Sequence, residues 1–224
     1  MPPLHVLRVF VGDDGRGGNP LGVFGEGHGL PDARLQPVAA ELGFSETVFV
    51  SHAARGELRI FTPAVELPLA GHPLVGTSWL LHETGTPVAV LRPPAGEVPT
   101  WRDGELTWIR ADPGWAPGFA REQLGSAAEV DAHPGASGGR DLQVWAWEDE
   151  PGGRIRTRVF PVEMGIAEDE ATGAAALGMG ALLGRPLTLR QGTGSRIEAR
   201  PGPDGTVEVG GRVEAVEVRE HSAA

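Results

Sequence analysis

Three side chains in this sequence can move protons, and each stands beside an element able to hold it still. Glu46 lies between Ser45 and Thr47, at the entrance to the β-branched stretch Phe44–Ser51. His72 sits in Gly71-His72-Pro73, just ahead of an apolar run. Asp169 sits in Glu168-Asp169-Glu170-Ala171-Thr172-Gly173, ahead of another. Carboxyl and imidazole groups are the ones whose pKa values an environment can bring close to neutral pH. Each residue also has a plainer reading. A carboxylate at a strand entrance is commonly a solvated edge residue. A lone histidine at a helix start is commonly structural. Asp169 has the position of an N-terminal capping acid.

Composition narrows the chemistry further. With no cysteine, disulfides, thiolate metal sites and cysteine nucleophiles are excluded. All 19 basic side chains are arginine, so a Schiff-base or pyridoxal-phosphate lysine is excluded too. There is no tyrosine, which leaves Asp, Glu and His as proton carriers near neutrality. His5, His28, His52, His82, His133 and His221 are scattered and meet no carboxylate at ligand intervals, so neither a metal nor another cofactor is expected. A formal net charge of −11 argues against nucleic acid as partner. No apolar run reaches the roughly 18 residues of a membrane helix, so no membrane association is expected. The start, MPPLHVLRVF, lacks the basic region and cleavage pattern of a signal peptide, and the expected location is the cytoplasm. The glycines of GDDGRGGNP make no dinucleotide fingerprint, and that segment reads as a loop.

The elements that must position these residues repeat. RIFTPAVELPLAGHPLVGTSWLL (Arg59–Leu81) and RVFPVEMGIAEDEATGAAALGMGALL (Arg158–Leu183) share one plan. Each begins Arg, β-branched, Phe. Glu66 precedes Gly71 by five residues, as Glu168 precedes Gly173. Each ends in an apolar helix. Pro73 suits the first turn of the first helix, where its missing N–H has no partner to lose. Helices apolar all round are buried on all sides. Their free N-terminal amides then face a protected place suited to an anion.

Around these units, Leu4–Val11, Phe44–Ser51, Leu58–Phe61, Thr86–Arg92 and Leu106–Ala111 read as strands. Asp32–Leu42 reads as a helix, with Asp32 in position to cap it and Gly43 ending it. In the second half Asp141–Trp147, Arg154–Phe160, Leu187–Arg190, Ser195–Arg200, Thr206–Val209 and Val213–Val218 read as strands. The Gly/Pro/Ala/Ser-rich segment Asp112–Arg140 reads as a junction with loose surface. Trp101, Trp108 and Trp115 read as packing residues. The expectation is two similar domains, 1–112 and 113–224, with the last strand able to return to the first.

The ordered motifs VFVGDDGRGGNPLGVF, ELGFSETVFV, FTP…GHP and EDEATG resemble the PhzF family of phenazine-biosynthesis isomerases. That family is related to diaminopimelate epimerase. QGTGSR (Gln191–Arg196) and VEVGGRV are weaker matches. The resemblance implies an α+β fold of two similar domains. Each is a curved sheet or barrel around a central helix, with the active site in the cleft between them. It implies a homodimer acting on a small carboxylated substrate of the dihydro-hydroxyanthranilate kind. It places the catalytic acid/base on Glu46, with His72 and Asp169 beside it. Asn19, Gly71, Gly173 and Ala174 fall on substrate-binding positions. Two positions depart from the pattern. Ala174 stands where the family has Ser, and Glu170 where it has Pro. The first departure leaves open a non-catalytic protein that binds a small carboxylate, or an assembly subunit of the same fold.

Overall fold

Runs of Val, Ile, Leu and Phe with period two build the strands, and two runs of Gly, Ala, Leu and Val build helices that the strands enclose. The computed structural model describes residues 3–220. Its first half holds β1 (Pro3–Val11), β2 (Gly17–Phe24), α1 (Asp32–Leu42), β3 (Glu46–His52), β4 (Glu57–Phe61), β5 (Glu66–Leu67), α2 (Gly71–Glu83), β6 (Val90–Leu91), β7 (Val98–Asp103) and β8 (Leu106–Ala111). Its second half holds β9 (Ala120–Gln123), α3 (Ala127–Ala132), β10 (Leu142–Asp149), β11 (Arg154–Phe160), α4 (Gly173–Leu183), β12 (Leu187–Gln191), β13 (Ser195–Pro201) and β14 (Val207–Glu220).

The strands connect in the order β5-β4-β3-β2-β1-β14-β13-β12-β11-β10-β9, with β8 also on β14, β7 on β8 and β6 on β7. Parts of the two halves repeat each other. β2 and β3 are parallel across α1, and β9 and β10 are parallel across α3. β3–β4 and β10–β11 are antiparallel hairpins. α2 is buried from Gly71 through Ser78 and packs against strands of its own half and β14. Each of its Leu74, Val75, Leu80 and Leu81 side chains contributes roughly 2 kcal/mol by leaving water. α4 packs against β13 and β14 through Gly180, but its last turn departs from the expected full burial, with Ala181 and Leu182 exposed.

The repeat extends to side chains. The Arg59 guanidinium donates to both oxygens of Glu66, at 2.7 Å each, and lies 5.1 Å from the Phe61 ring centre. Arg158 does the same with Glu168, at 2.7 and 2.6 Å, and lies 4.9 Å from the Phe160 ring. Each fork ties the segment before a central helix to the strand that precedes it.

Several expectations from the sequence change. The segment read as a loop becomes strand from Gly17, so Asn19 is held by ladder bonds to β1 rather than by a turn. Asp32 does not cap α1. Pro31 occupies the cap, while Asp32 faces Arg59 at 3.2 Å. Gly43 ends the helix as expected, at φ 68. Thr86–Arg92 shortens to Val90–Leu91, because Pro87 cannot donate to a ladder. The segment 112–140 is more ordered than its composition suggests. It carries β9 and the short α3, whose Ser126 hydroxyl accepts from the Glu129 N–H while Glu129 reaches back to Ser126 and Gly125. Thr206–Val209 and Val213–Val218 are one strand, β14. Gly210 and Gly211 do not break it. They leave room for the Trp108 and Phe10 rings, which a Cβ on either would approach to 2.4 Å. Trp108 is buried and stacks with Trp101, whereas Trp115 is partly exposed.

Candidate functional site

α2 and α4 meet at their N-termini. A Cβ on Gly71 would lie 2.7 Å from the Gly173 Cα, and one on Gly173 would lie 2.8 Å from the Gly71 Cα. Only glycine permits this contact, and it brings two positive helix ends together. No side chain caps either start. Beside the contact is a pocket lined by residues of both halves. Its polar lining includes Glu46, His72, Asp169 and Thr172, with the backbones of Gly71, Gly173 and Ala174. Leu67, Leu69, Phe119, Met164 and Ile166 form apolar walls.

The residues singled out in the sequence therefore come together from both halves. Glu46 opens β3, His72 is in the first turn of α2, and Asp169 precedes α4. Glu46 Oε2 and His72 Nε2 face each other at 3.4 Å. Neither atom has a hydrogen-bond partner among the described residues. Asn19 is buried just behind. Its Nδ2 donates to Asp169 Oδ1 (2.8 Å) and to the Ala171 carbonyl (2.9 Å), and lies 3.4 Å from His72 Nδ1. The Ser45 hydroxyl donates to Asn19 Oδ1 (3.1 Å). Asn19 thus links three chain segments around the pocket without lining it.

Burial dominates the electrostatics. It pushes the Glu46 carboxyl up to about 7, against a hydrogen bond from Ser45 that favours the charge. It pushes His72 down to about 4, although the Asp169 charge and the Pro20 carbonyl oppose this. Asp169 rises to about 6, through burial first and the nearby Glu46 charge second. His72, Thr172 and Asn19 oppose that rise. Near neutral pH the site therefore holds a neutral imidazole, an ionised Asp169, and a Glu46 balanced between its acid and base forms.

Asp169 is not a helix cap. It accepts from the Thr172 hydroxyl at 2.6 Å and from Asn19, and its carboxylate belongs to the pocket. Glu168, also near the helix start in sequence, turns away to Arg158. Ala174 lines the pocket and packs with Phe119, Val159 and Ala175, a setting without a hydroxyl. Glu170 accepts from the Thr193 N–H (2.9 Å) and the Ser195 hydroxyl (2.8 Å). It thereby ties the 169–172 segment to the turn between β12 and β13. The sequence reading missed Ser45, Gln191 and the apolar walls. The signal for Phe119 was hidden in the segment read as loose surface.

Two halves of one α+β plan thus meet at a site of two carboxylates and an imidazole between their central helices. The model of the family described as phenazine biosynthesis-like protein, PhzC-PhzF, matches residues 8–133, and the chain belongs to that family. It is 31% identical, over an alignment 260 positions long, to the trans-2,3-dihydro-3-hydroxyanthranilate isomerase of Pseudomonas aeruginosa, covering 92% of this chain and 91% of that protein. A stretch of 84 residues is 48% identical to an uncharacterized isomerase of Pasteurella multocida, covering 35% of this chain and 28% of that protein. The fold matches that of a phenazine biosynthesis PhzC/PhzF protein from Clostridium difficile with a TM-score of 0.78 and 18% identity, over 99% of this chain and 100% of that one. Among the described residues, no helix is long and apolar enough to cross a membrane.

Proposed function

We propose that the protein moves a proton within a small carboxylate-bearing ring of the dihydro-hydroxyanthranilate kind. The observation that carries this reading is the facing pair Glu46 Oε2 and His72 Nε2, buried, unpartnered and directed at a pocket under two uncapped helix starts. An internal proton shift is redox-neutral, so acid/base side chains of this kind suffice for it. Glu46, poised near neutral, takes the proton from one ring carbon and returns it to another. The amides of Gly71, His72, Gly173 and Ala174 hold the substrate carboxylate at the helix ends. Neutral His72 and ionised Asp169 hydrogen-bond the ring substituents. The apolar walls keep water from exchanging the proton in transit. A cytoplasmic homodimer belongs to this reading, and sedimentation of the purified protein tests the dimer.

The test is deuterium incorporation in D₂O, followed by NMR, with trans-2,3-dihydro-3-hydroxyanthranilate. Wild type places deuterium on ring carbon, and Glu46→Gln lowers the rate by at least ~100-fold. Full turnover by Glu46→Gln sinks the assignment. Ala174 favours a second reading, a protein that binds a small carboxylate without turning it over. That reading expects saturable binding of the same compound, equal in both forms, with no exchange.

A further inference from the structure

Gln191, the last residue of β12, is fully buried behind the pocket. Its Nε2 donates to the Asp169 carbonyl (2.9 Å) and to Thr172 Oγ1 (2.8 Å). Its Oε1 accepts from the Thr172 N–H (3.2 Å). The amide orientation is therefore set by its partners, since a carbonyl only accepts and an N–H only donates. Thr172 Oγ1 uses a lone pair on Gln191, and its own proton goes to Asp169 Oδ2 at 2.6 Å. On the other side Asn19 Nδ2 donates to Asp169 Oδ1. Both carboxyl oxygens accept a hydrogen bond, and such bonds favour the charged form over the protonated one.

We infer that Gln191 is a positioning residue: by orienting the Thr172 hydroxyl it holds Asp169 as an ionised acceptor toward the pocket. The titratable groups facing Asp169 are Glu46 from β3 and His72 from α2. Neighbouring Glu170 is turned to Thr193 and Ser195. Burial and the Glu46 charge both favour a proton on Asp169, and the hydrogen bonds from Thr172 and Asn19 oppose it. Without the Gln191–Thr172 relay one of these opposing bonds is lost, and Asp169 takes up a proton at higher pH. Its role in turnover rests on the isomerase reading, whereas its protonation does not.

The experiment follows the side-chain carboxyl ¹³C signal of Asp169 in the substrate-free protein, assigned with Asp169→Asn, for wild type, Gln191→Leu, Thr172→Val and Thr172→Ser. Gln191→Leu and Thr172→Val each raise the Asp169 midpoint by about one pH unit, the worth of one hydrogen bond. The acid limb of kcat moves up with it, and Thr172→Ser keeps both at the wild-type position. An unchanged midpoint in folded Gln191→Leu or in folded Thr172→Val overturns the inference. Should Gln191→Leu not fold, Gln191→Met, closer in shape and equally without an N–H to donate, takes its place. A midpoint that moves in a protein without turnover keeps the inference and removes the isomerase reading instead.

Discussion

Glu46→Gln changes how stability depends on pH, separately from any effect on turnover. In the unfolded chain this carboxyl titrates near 4.5, and in the fold burial raises it to about 7. The folded protein thus holds the proton more tightly, and proton binding stabilises it. That contribution is fully present below about 4.5 and is lost as pH rises through about 7. At about 1.4 kcal/mol per tenfold change in proton affinity, its full size is roughly 3 kcal/mol. Asp169, raised to about 6, adds in the same direction. Part of its rise comes from the Glu46 charge, so glutamine relaxes Asp169 as well. His72 runs the opposite way. Lowered to about 4, it contributes stability above 6.5 that is lost as pH falls toward 4. Its effect is common to both proteins and largely drops out of their difference. Urea unfolding of wild type and Glu46→Gln at a series of pH values reads that difference directly. From about pH 5 to about pH 9, wild type should lose roughly 2 to 3 kcal/mol more than the variant. A difference that stays level within ~0.5 kcal/mol across that range refutes the reasoning, because Glu46 would then titrate as a solvated carboxylate.

Other perturbations test the architecture. Gly71→Ala forces a methyl against the Gly173 backbone, which cannot swing aside as a side chain can, and should cost about 1–3 kcal/mol, read as a fall in Tm. Arg59→Met removes a fork and its ring contact, for about 1 kcal/mol, whereas Arg158→Met also takes the donor from the Val130, Asp131 and His133 carbonyls and should cost more, about 2 kcal/mol. The double variant should lose the sum within ~0.5 kcal/mol, as the forks belong to separate halves; urea unfolding of all three checks this. Gly210→Ala pushes into the Trp108 indole and should unstack it from Trp101, with a change in tryptophan fluorescence and a loss of about 1–3 kcal/mol.

Much of the site was legible because its chemistry sits on unusual local sequence. His72 and Asp169 stand at the starts of helices without a charged face, and such helices have nowhere to go but inside. The Arg, Phe and Glu of the repeat announced a shared plan, though not their purpose, which is to pin the two helix approaches. What stayed hidden depended on partners distant in sequence. Gly210 and Gly211 look like a turn until the Trp108 and Phe10 rings are placed over them. Asp169 looks like a cap until Asn19 arrives from β2 to take one of its oxygens. Gln191 has no local pattern at all, for its three contacts are to the 169–172 segment.

β14 has a bearing on how the chain acquires its fold. It pairs with β1 and β8 of the first half and with β13 of the second, yet it follows all of them in chain order. While it is unmade, β8 and β13 have no strand between them and β1 has an open edge. Helices and hairpins can form early from local contacts, but closing either half must wait for this distant pairing, which is intrinsically slow. A sequence that repeats itself would suggest two bodies melting in turn. A strand held in common couples them instead, and one cooperative transition in calorimetry is the expected outcome.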